Sequence, residues 1–328
     1  METCEVSLTA PPKIKPCQLV KRPLWSVMIP VYNCADFLPE TLQSVLQQAP
    51  EKDLMQIEVV DDASTDANVE DLVRKIGFGR IQYYRQPQNV GSLANFITCL
   101  NRSTGHYVHL LHGDDKVKDG YYNKMELLFN KYPDVGAAFC RYSYINDNGE
   151  FLYNHEAEAT HDTILENWLE RIVERQRIQY CSIAVKRKVY ESLGGFYGVS
   201  YGEDWEMWAR IAANYSVAYT PIILSDYRIH MNSVSGRSFK NGQNMHDLRW
   251  VMNTIEKHVL PERREEIKKK TNKFYSHYAL RVANRLWKIN HDKDGAKVQI
   301  REAIKMHKDY SLYWKVFKLY IKMLANIS

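Results

Sequence analysis

Between Trp25 and Leu111 the chain repeats one pattern: a short apolar run, a polar loop, then an amphipathic stretch. The apolar runs are WSVMIPV (25–31), IEVV (57–60), IQYY (81–84) and HYVHLL (106–111). Strands and helices alternating at this spacing predict parallel β-α-β units, an α/β fold with helices on both faces of the sheet. In such sheets ligands bind outside the carboxyl ends of the strands. The candidate ligand-facing loops are therefore Tyr32–Asn33, Asp61–Asp66 and His112–Asp115.

The first helix runs through Leu38, Leu42, Val45 and Leu46, with Asp36 as its expected cap and Pro39 in its first turn. Two more are expected around Val69–Ile76 and Ser92–Asn101. Further on, the pattern predicts a helix over 119–132, a strand over 136–145, and a turn at Asp147–Asn148–Gly149 before FLY (151–153). It then predicts a helix over Thr163–Arg175, a strand at SIAVK (182–186), and the Gly-rich loop GGFYGVSYGED (194–204) leading into a helix, Trp205–Asn214. VAYTPIIL (217–224) reads as a late strand, and the chain is wholly helical from Asn244. No internal repeat is visible.

Charge divides the chain. The net +5 of the 328 residues splits at Phe239/Lys240 into a body of −6 and a tail of +11, the tail holding 20 basic and 9 acidic residues. Such asymmetry suggests two parts with different partners. A 45% hydrophobic fraction excludes disorder and low-complexity classes. Six cysteines without CxxC or Cys/His spacing argue against a zinc ribbon or a disulfide framework. No run of about 20 apolar residues is present to span a bilayer, and no apolar signal segment opens the chain. Residues 1–23, with four prolines, read as a flexible leader, and the whole as a cytoplasmic protein.

Two acidic pairs fall on the candidate loops. Adjacent carboxylates repel, so Asp114–Asp115 are best accommodated by a divalent cation lying between them and an anionic ligand. Mg²⁺ or Mn²⁺ would suit; the alternative is a solvated turn capping the next helix. Asp61–Asp62 repeat the arrangement one loop away, and Ser64, Thr65 or Asp66 would cap the helix that follows. An acidic cluster cannot itself attract phosphate and needs the metal to do so.

Six segments occur in order: SVMIPVYNCADFLPETLQSVLQQ, IEVVDDASTDAN, NVGSLANF, HYVHLLHGDD, YGEDWEMWARIA and YRIHMNSVS. Over residues 25–236 this series closely resembles the GT-A glycosyltransferases of family 2, inverting enzymes that use nucleotide sugars. The resemblance implies a Rossmann-like, mostly parallel central sheet flanked by helices, with a helical C-terminal extension. It implies a catalytic domain over 24–236, its donor half about 24–118 and its acceptor half about 119–236, followed by a basic helical region, 237–328.

The roles it implies are specific. Pro30, Val31 and Tyr32 line the base pocket, and Asp62 or Asp61 accepts a hydrogen bond from the base. Asn89, Gly91 and Asn95 lie beside the donor, although Asn95 could instead cap or pack. Asp114, next to Asp115, matches the last aspartate of a DxD motif whose Mn²⁺ or Mg²⁺ bridges the donor diphosphate. The usual first aspartate is His112 here, placed to touch ribose or assist the metal, or else a buried structural histidine. Asp204 is the base that takes the acceptor proton, with Glu203 as orienting group or alternative base; locally, acids at a helix start also favour its dipole. His230 lies near the metal or diphosphate, and Arg228 offsets leaving-group charge.

The implied reaction moves a sugar, UDP-linked, onto a hydroxyl of a glycan or lipid-linked acceptor, in surface polysaccharide or glycoconjugate synthesis. A non-catalytic glycan- or membrane-binding scaffold of the same fold is the alternative; the retained aspartates argue against it. A dehydrogenase is disfavoured because no GxGxxG follows the first strand. In the tail, Leu312–Ile327 reads as an amphipathic helix. Lys315, Lys318 and Lys322 form one strip, and Leu312, Val316, Leu319, Tyr320, Met323, Leu324 and Ile327 a wide apolar arc. With Tyr313, Trp314 and Phe317 as interfacial residues it suits peripheral contact with an anionic membrane; the alternatives are packing on its own domain or a homodimer interface. Nucleic acid is not expected, since aromatic and apolar residues rather than arginines dominate this helix.

Overall fold

The structure, a computed structural model, describes residues 9–230 and 234–326. The first half runs β1 (Trp25–Val31), α1 (Leu38–Leu46), β2 (Met55–Asp61), α2 (Val69–Gly77), β3 (Gln82–Arg85), α3 (Ser92–Arg102) and β4 (Tyr107–Leu110). It continues through β5 (Lys116–Val117), α4 (Tyr121–Lys131), β6 (Ala137–Ile145), β7 (Phe151–Asn154), β8 (Thr163–Ile164), α5 (Trp168–Glu174), β9 (Ile183–Lys186) and α6 (Arg187–Leu193). Then come α7 (Glu203–Asn214), β10 (Val217–Arg228), α8 (Val234–Asn241), α9 (Gln243–Ile255), α10 (Pro261–Asn290), α11 (Lys293–Met306) and α12 (Tyr310–Leu324).

The strands join in one sheet of order β3-β2-β1-β4-β9-β6-β10-β5, with β7 beside β6 and β8 beside β10. The β3-β2-β1-β4 half is parallel throughout. β9 is antiparallel to both neighbours, and β6 and β10 run parallel to each other. β1 is buried at every position, as expected for a central strand covered on both faces. Its Val31 is in register with Asp61 of β2, which brings two candidate loops side by side. The core beneath joins β1 and β2 to α1, α2 and α4 through residues such as Val27, Ile29, Leu42, Val59, Val73 and Met125.

Two compact units result. The first is residues 1–168, 178–198 and 210–229; the second is residues 169–177, 199–209 and 230–328. In the second, α10 packs against α11 and α12, and Phe239, Val282 and Leu286 form a small core.

Several local expectations give way to other contacts. Asp36 does not cap α1; Phe37 occupies that position with no side-chain bond, while Pro39 sits in the first turn. Asn68 caps α2, accepting from Asp71 N–H at 3.1 Å. The helix expected over Thr163–Arg175 is shorter, because Thr163–Ile164 pair with Ala218–Tyr219 of β10 and the helix begins at Trp168. The described part of the leader is fastened rather than loose. Ile14 is buried, Gly195 N–H donates to Pro12 O at 2.8 Å, and Arg22 donates to Thr104 O and Gly105 O at 2.7 and 2.6 Å. On α12, Leu312, Val316, Leu319 and Met323 of the apolar arc are buried, while Tyr320 and Leu324 are exposed and Ile327 lies outside the described residues.

Candidate active site

In the first unit, the carboxyl ends of β2, β1 and β4 present their loops side by side. Asp62 N–H donates to Val31 O at 2.8 Å and Gly113 N–H to Pro30 O at 3.2 Å, so Pro30 and Val31 tie the two flanking loops to β1. The Tyr32 side chain is exposed beyond them. The next residue, Asn33, has φ of 50° and accepts from Thr65 N–H at 2.8 Å. Ser64 Oγ accepts from Asn33 N–H at 3.0 Å, and Asp66 from Ala35 N–H at 2.9 Å. The residues expected as helix caps thus lace two loops together.

Asp61 and Asp62 differ sharply. Asp61 is fully buried: one oxygen accepts from Ser64 N–H at 2.9 Å, the other from Tyr83 OH at 2.7 Å and from the Arg85 guanidinium. Asp62 accepts the N–H groups of Val90 at 2.8 Å and Gly91 at 3.0 Å, one on each oxygen, which fixes the Asn89–Gly91 segment. Gly91, at φ of 84°, adopts a backbone that side chains disfavour. Burial raises the Asp62 carboxyl above its ordinary range, against those two hydrogen bonds. Asn89 Nδ2 donates to Asp62 O at 3.3 Å. Asn95 is buried, donating to Val60 O at 3.0 Å and accepting from Gln86, so it braces α3 against β2.

After β4 the chain turns through His112-Gly-Asp-Asp. Gly113 passes so close to β1 that an added Cβ would lie 2.9 Å from Cys34 Sγ and 3.0 Å from Val31 Cγ2. Thr41 of α1 bonds the carbonyls of Gly113 and Asp115, at 3.0 and 2.6 Å. Arg228, at the end of β10, clamps the far side. Its backbone N–H donates to Asp115 Oδ1 at 2.9 Å, and its guanidinium donates to Asp114 O, Asn146 O, Asp147 O and Glu40. A guanidinium so occupied organises the loop.

His112, Asp114 and Asp115 each turn a ligand atom toward the others, all within 4.8 Å. His112 is stacked on Phe96 (ring centroids 5.1 Å, 26°) and leans on Tyr180 at 4.2 Å, and burial lowers its pKa. Asp115 is buried, and desolvation together with the Asp114 charge pushes its carboxyl well up. Buried His112 Nε2 and Asp115 Oδ2 have no hydrogen-bond partner. Orphaned acceptors of this kind, beside a second carboxylate, are what a divalent cation would satisfy.

The second unit holds Glu203, Asp204 and His230. Glu203 and Asp204 open α7, and Glu203 is buried. Asp204 Oδ1 accepts from Trp205 N–H at 2.7 Å, and Oδ2 from the Gln176 amide. Gln176 is itself held: its N–H donates to Tyr275 OH at 3.1 Å, and its Oε1 accepts from Arg177 N–H at 3.0 Å. Trp205 Nε1 donates to Ile172 O, fixing α7 against α5. Burial pushes the Asp204 carboxyl up to about 7, even though both hydrogen bonds favour its ionised form. His230 is buried. Nothing in their sequence neighbourhood marks Gln176, in the loop after α5, or Tyr180, in a 3-10 turn before β9, as site residues, and Phe96 stands out only as the end of NVGSLANF.

With this geometry in view, the profile described as "Glycosyl transferase family 2" matches residues 26–194. The chain belongs to that family. Among its relatives is the putative teichuronic acid biosynthesis glycosyltransferase TuaG of Bacillus subtilis, 29% identical over 67% of this chain and 84% of that protein. Another is the Escherichia coli UDP-Glc:alpha-D-GlcNAc-diphosphoundecaprenol beta-1,3-glucosyltransferase WfaP, 25% identical over 66% and 82%. Other curated relatives are matched over 40%, 42%, 30% and 31% of their lengths, so the chain spans less than half of those proteins. In structure it is similar to S. aureus TarS 1–349 in complex with UDP-GlcNAc, with a TM-score of 0.61 at 14% identity over 86% of this chain and 91% of that one. That likeness shows the GT-A fold.

Proposed function

We propose that this family 2 member is an inverting transferase. It would move a sugar from a nucleotide-sugar donor, UDP-linked, to a hydroxyl of a glycan or lipid-linked acceptor in surface polysaccharide or glycoconjugate synthesis. The observation that carries the reading is the His112, Asp114 and Asp115 trio within 4.8 Å, set after β4 where the fold receives ligands. Mn²⁺ or Mg²⁺ held there by Asp114, with Asp115 and His112 beside it, would offset the charge that the leaving diphosphate gains. The imidazole nitrogen favours Mn²⁺ over the more strictly oxygen-seeking Mg²⁺.

The chain's residues take the remaining roles. Pro30, Val31 and Tyr32 border the base. Asp62 has more capacity left for the base than Asp61, whose carboxylate already accepts three hydrogen bonds. Asn89 and Gly91 approach the donor, and His230 serves the diphosphate or cation. Asp204 accepts the acceptor's hydroxyl proton as that oxygen bonds the anomeric carbon. The bond from that carbon to diphosphate oxygen breaks on the opposite face, and UDP departs. A carboxyl near 7 suits this task, because its conjugate base is far stronger than an ordinary aspartate at neutral pH. Glu203 orients the acceptor.

WfaP is a glucosyltransferase from UDP-Glc to an alpha-D-GlcNAc-diphosphoundecaprenol, and TarS 1–349 forms a complex with UDP-GlcNAc. They support the donor and acceptor classes. The reading places the enzyme in the cytoplasm, in keeping with free Cys17, Cys34, Cys99, Cys140 and Cys181. Thermal unfolding against a panel of nucleotide sugars, with and without Mn²⁺, tests it. A UDP-sugar should raise the midpoint only when Mn²⁺ is present; no response to any nucleotide sugar would sink the proposal.

A further inference from the structure

Among the described residues no helix is long and apolar enough to cross a membrane, yet α12 carries two apolar faces. Leu312, Val316, Leu319 and Met323 are buried, and α12 packs on α10 and α11. That accounts for one face and matches a helix docked on its own unit. The other face is open: Tyr310 is 84% exposed, Phe317 52% and Leu324 78%, with Tyr313, Trp314, Tyr320 and Ile321 between them, all at least 37% exposed. These seven recur at spacings of one and three, so they form a single strip about 21 Å long. At about 200 Å² per large side chain, the exposed patch comes to roughly 800 Å², above what a soluble monomer ordinarily leaves uncovered.

We infer that this strip lies in the interfacial zone of an anionic lipid bilayer. Charge decides between a bilayer and a second copy of the chain. From Tyr310 to Leu324 the helix holds Lys315, Lys318 and Lys322 and no acidic residue. The three lysines recur at spacings of three and four along one margin of the strip. Lys318 Nζ sits 5.0 Å from the centre of the Trp314 ring, at the edge of the aromatic surface. An antiparallel pairing of two copies, strip to strip, would bring the like-charged rows together, and a parallel one would leave each row without a counter-charge on this helix, whereas acidic headgroups neutralise them. The composition agrees: one Trp, three Tyr and one Phe are side chains with an apolar body suited to the headgroup boundary. The surrounding region, 240–328, has the +11 balance that draws a protein to such a surface. The membrane face is thus the Tyr313/Trp314/Phe317 side, since most of the wide aliphatic arc is already used inside the protein. This inference is independent of the reaction proposed above.

The test is sedimentation of the full chain with sucrose-loaded vesicles, phosphatidylglycerol–phosphatidylcholine mixtures against phosphatidylcholine alone. Binding should appear with the anionic mixture and fall steeply with salt. It should weaken about tenfold or more in Trp314→Ser/Phe317→Ser, whose exposed sites leave the fold intact by circular dichroism. Lys315→Gln/Lys318→Gln/Lys322→Gln should flatten the salt dependence. Leu260→Ser, at another exposed leucine of the same unit, should bind as the parent does. No binding to anionic vesicles, or equal loss in Leu260→Ser, overturns the inference. So does a lipid-free dimer, seen by light scattering, that Trp314→Ser/Phe317→Ser dissolves.

Discussion

Replacing Asp204 with Asn should shift the balance of stability toward the variant as pH rises. The carboxyl titrates at about 7 in the folded chain against 3.8 for the unperturbed group, chiefly through burial. Below pH 4 it is protonated in both states and folding is indifferent to it. Between 4 and 7 the unfolded chain releases the proton and the folded chain keeps it, so stability falls as pH rises through this window. Integrating the two titrations, the wild type loses about 2–3 kcal/mol more at pH 8 than at pH 5 through this one group. Asparagine does not ionise and loses none of it. Any pH-independent cost, such as presenting an amide to the Gln176 donor, cancels when the gap between the proteins at pH 8 is compared with that at pH 5. Urea unfolding at 25 °C, followed by circular dichroism, measures that gap. A widening of about 2–3 kcal/mol is expected; a gap constant to within about 0.5 kcal/mol would refute the raised pKa and take away the chemical basis for Asp204 as base.

Three other outcomes follow from the site. Asp204→Asn should abolish sugar transfer while leaving UDP-sugar binding measurable by calorimetry, and undiminished transfer would remove Asp204 from the reaction. Asp114→Ala should eliminate Mn²⁺-dependent UDP binding, with metal-independent UDP affinity little changed; identical Mn²⁺ dependence in the two proteins would refute the metal assignment. Gln176→Leu removes one hydrogen bond that stabilises ionised Asp204. The acidic limb of kcat/KM should therefore move up by about one pH unit, for a bond of about 1.5 kcal/mol; an unmoved limb would show that Gln176 does not act through Asp204.

The order of strands and the three ligand-facing loops were legible because period, loop polarity and spacing are local properties of β1–β4, and the sheet only had to assemble them. Contacts made across the fold were not legible. Asp36 looked like a cap, but the chain reaches α1 through Phe37 and Pro39 instead. Thr163–Ile164 read as helix until β10 offered them an edge to pair with. Gln176 lies more than two dozen residues from Asp204, and nothing in its neighbourhood marks an amide that will hold a carboxylate. The leader's prolines suggested slack, yet Pro12 O meets Gly195 N–H because glycines leave the chain room to approach there. On α12 the apolar residues encircle more of the helix than one face can use, and periodicity alone did not say which part the protein would keep.

The two acidic pairs also bear on how substitutions here would be interpreted. On the page, Asp61–Asp62 and Asp114–Asp115 are the same dipeptide at the same kind of strand end. In the fold, each oxygen of the first pair accepts at least one donor from its own chain, whereas Asp115 keeps a buried oxygen with no partner. Both pairs should tolerate replacement poorly, for opposite reasons. Losing Asp61 or Asp62 would unlace two loops whether or not a ligand is bound, and added metal could not restore them. Losing Asp115 would leave Arg228 N–H without its acceptor but also relieve a buried carboxylate oxygen that has no partner, so stability should fall less than at Asp61 while the capacity for a cation disappears. Stability measured without ligand separates scaffold from site where tolerance to mutation alone would merge them.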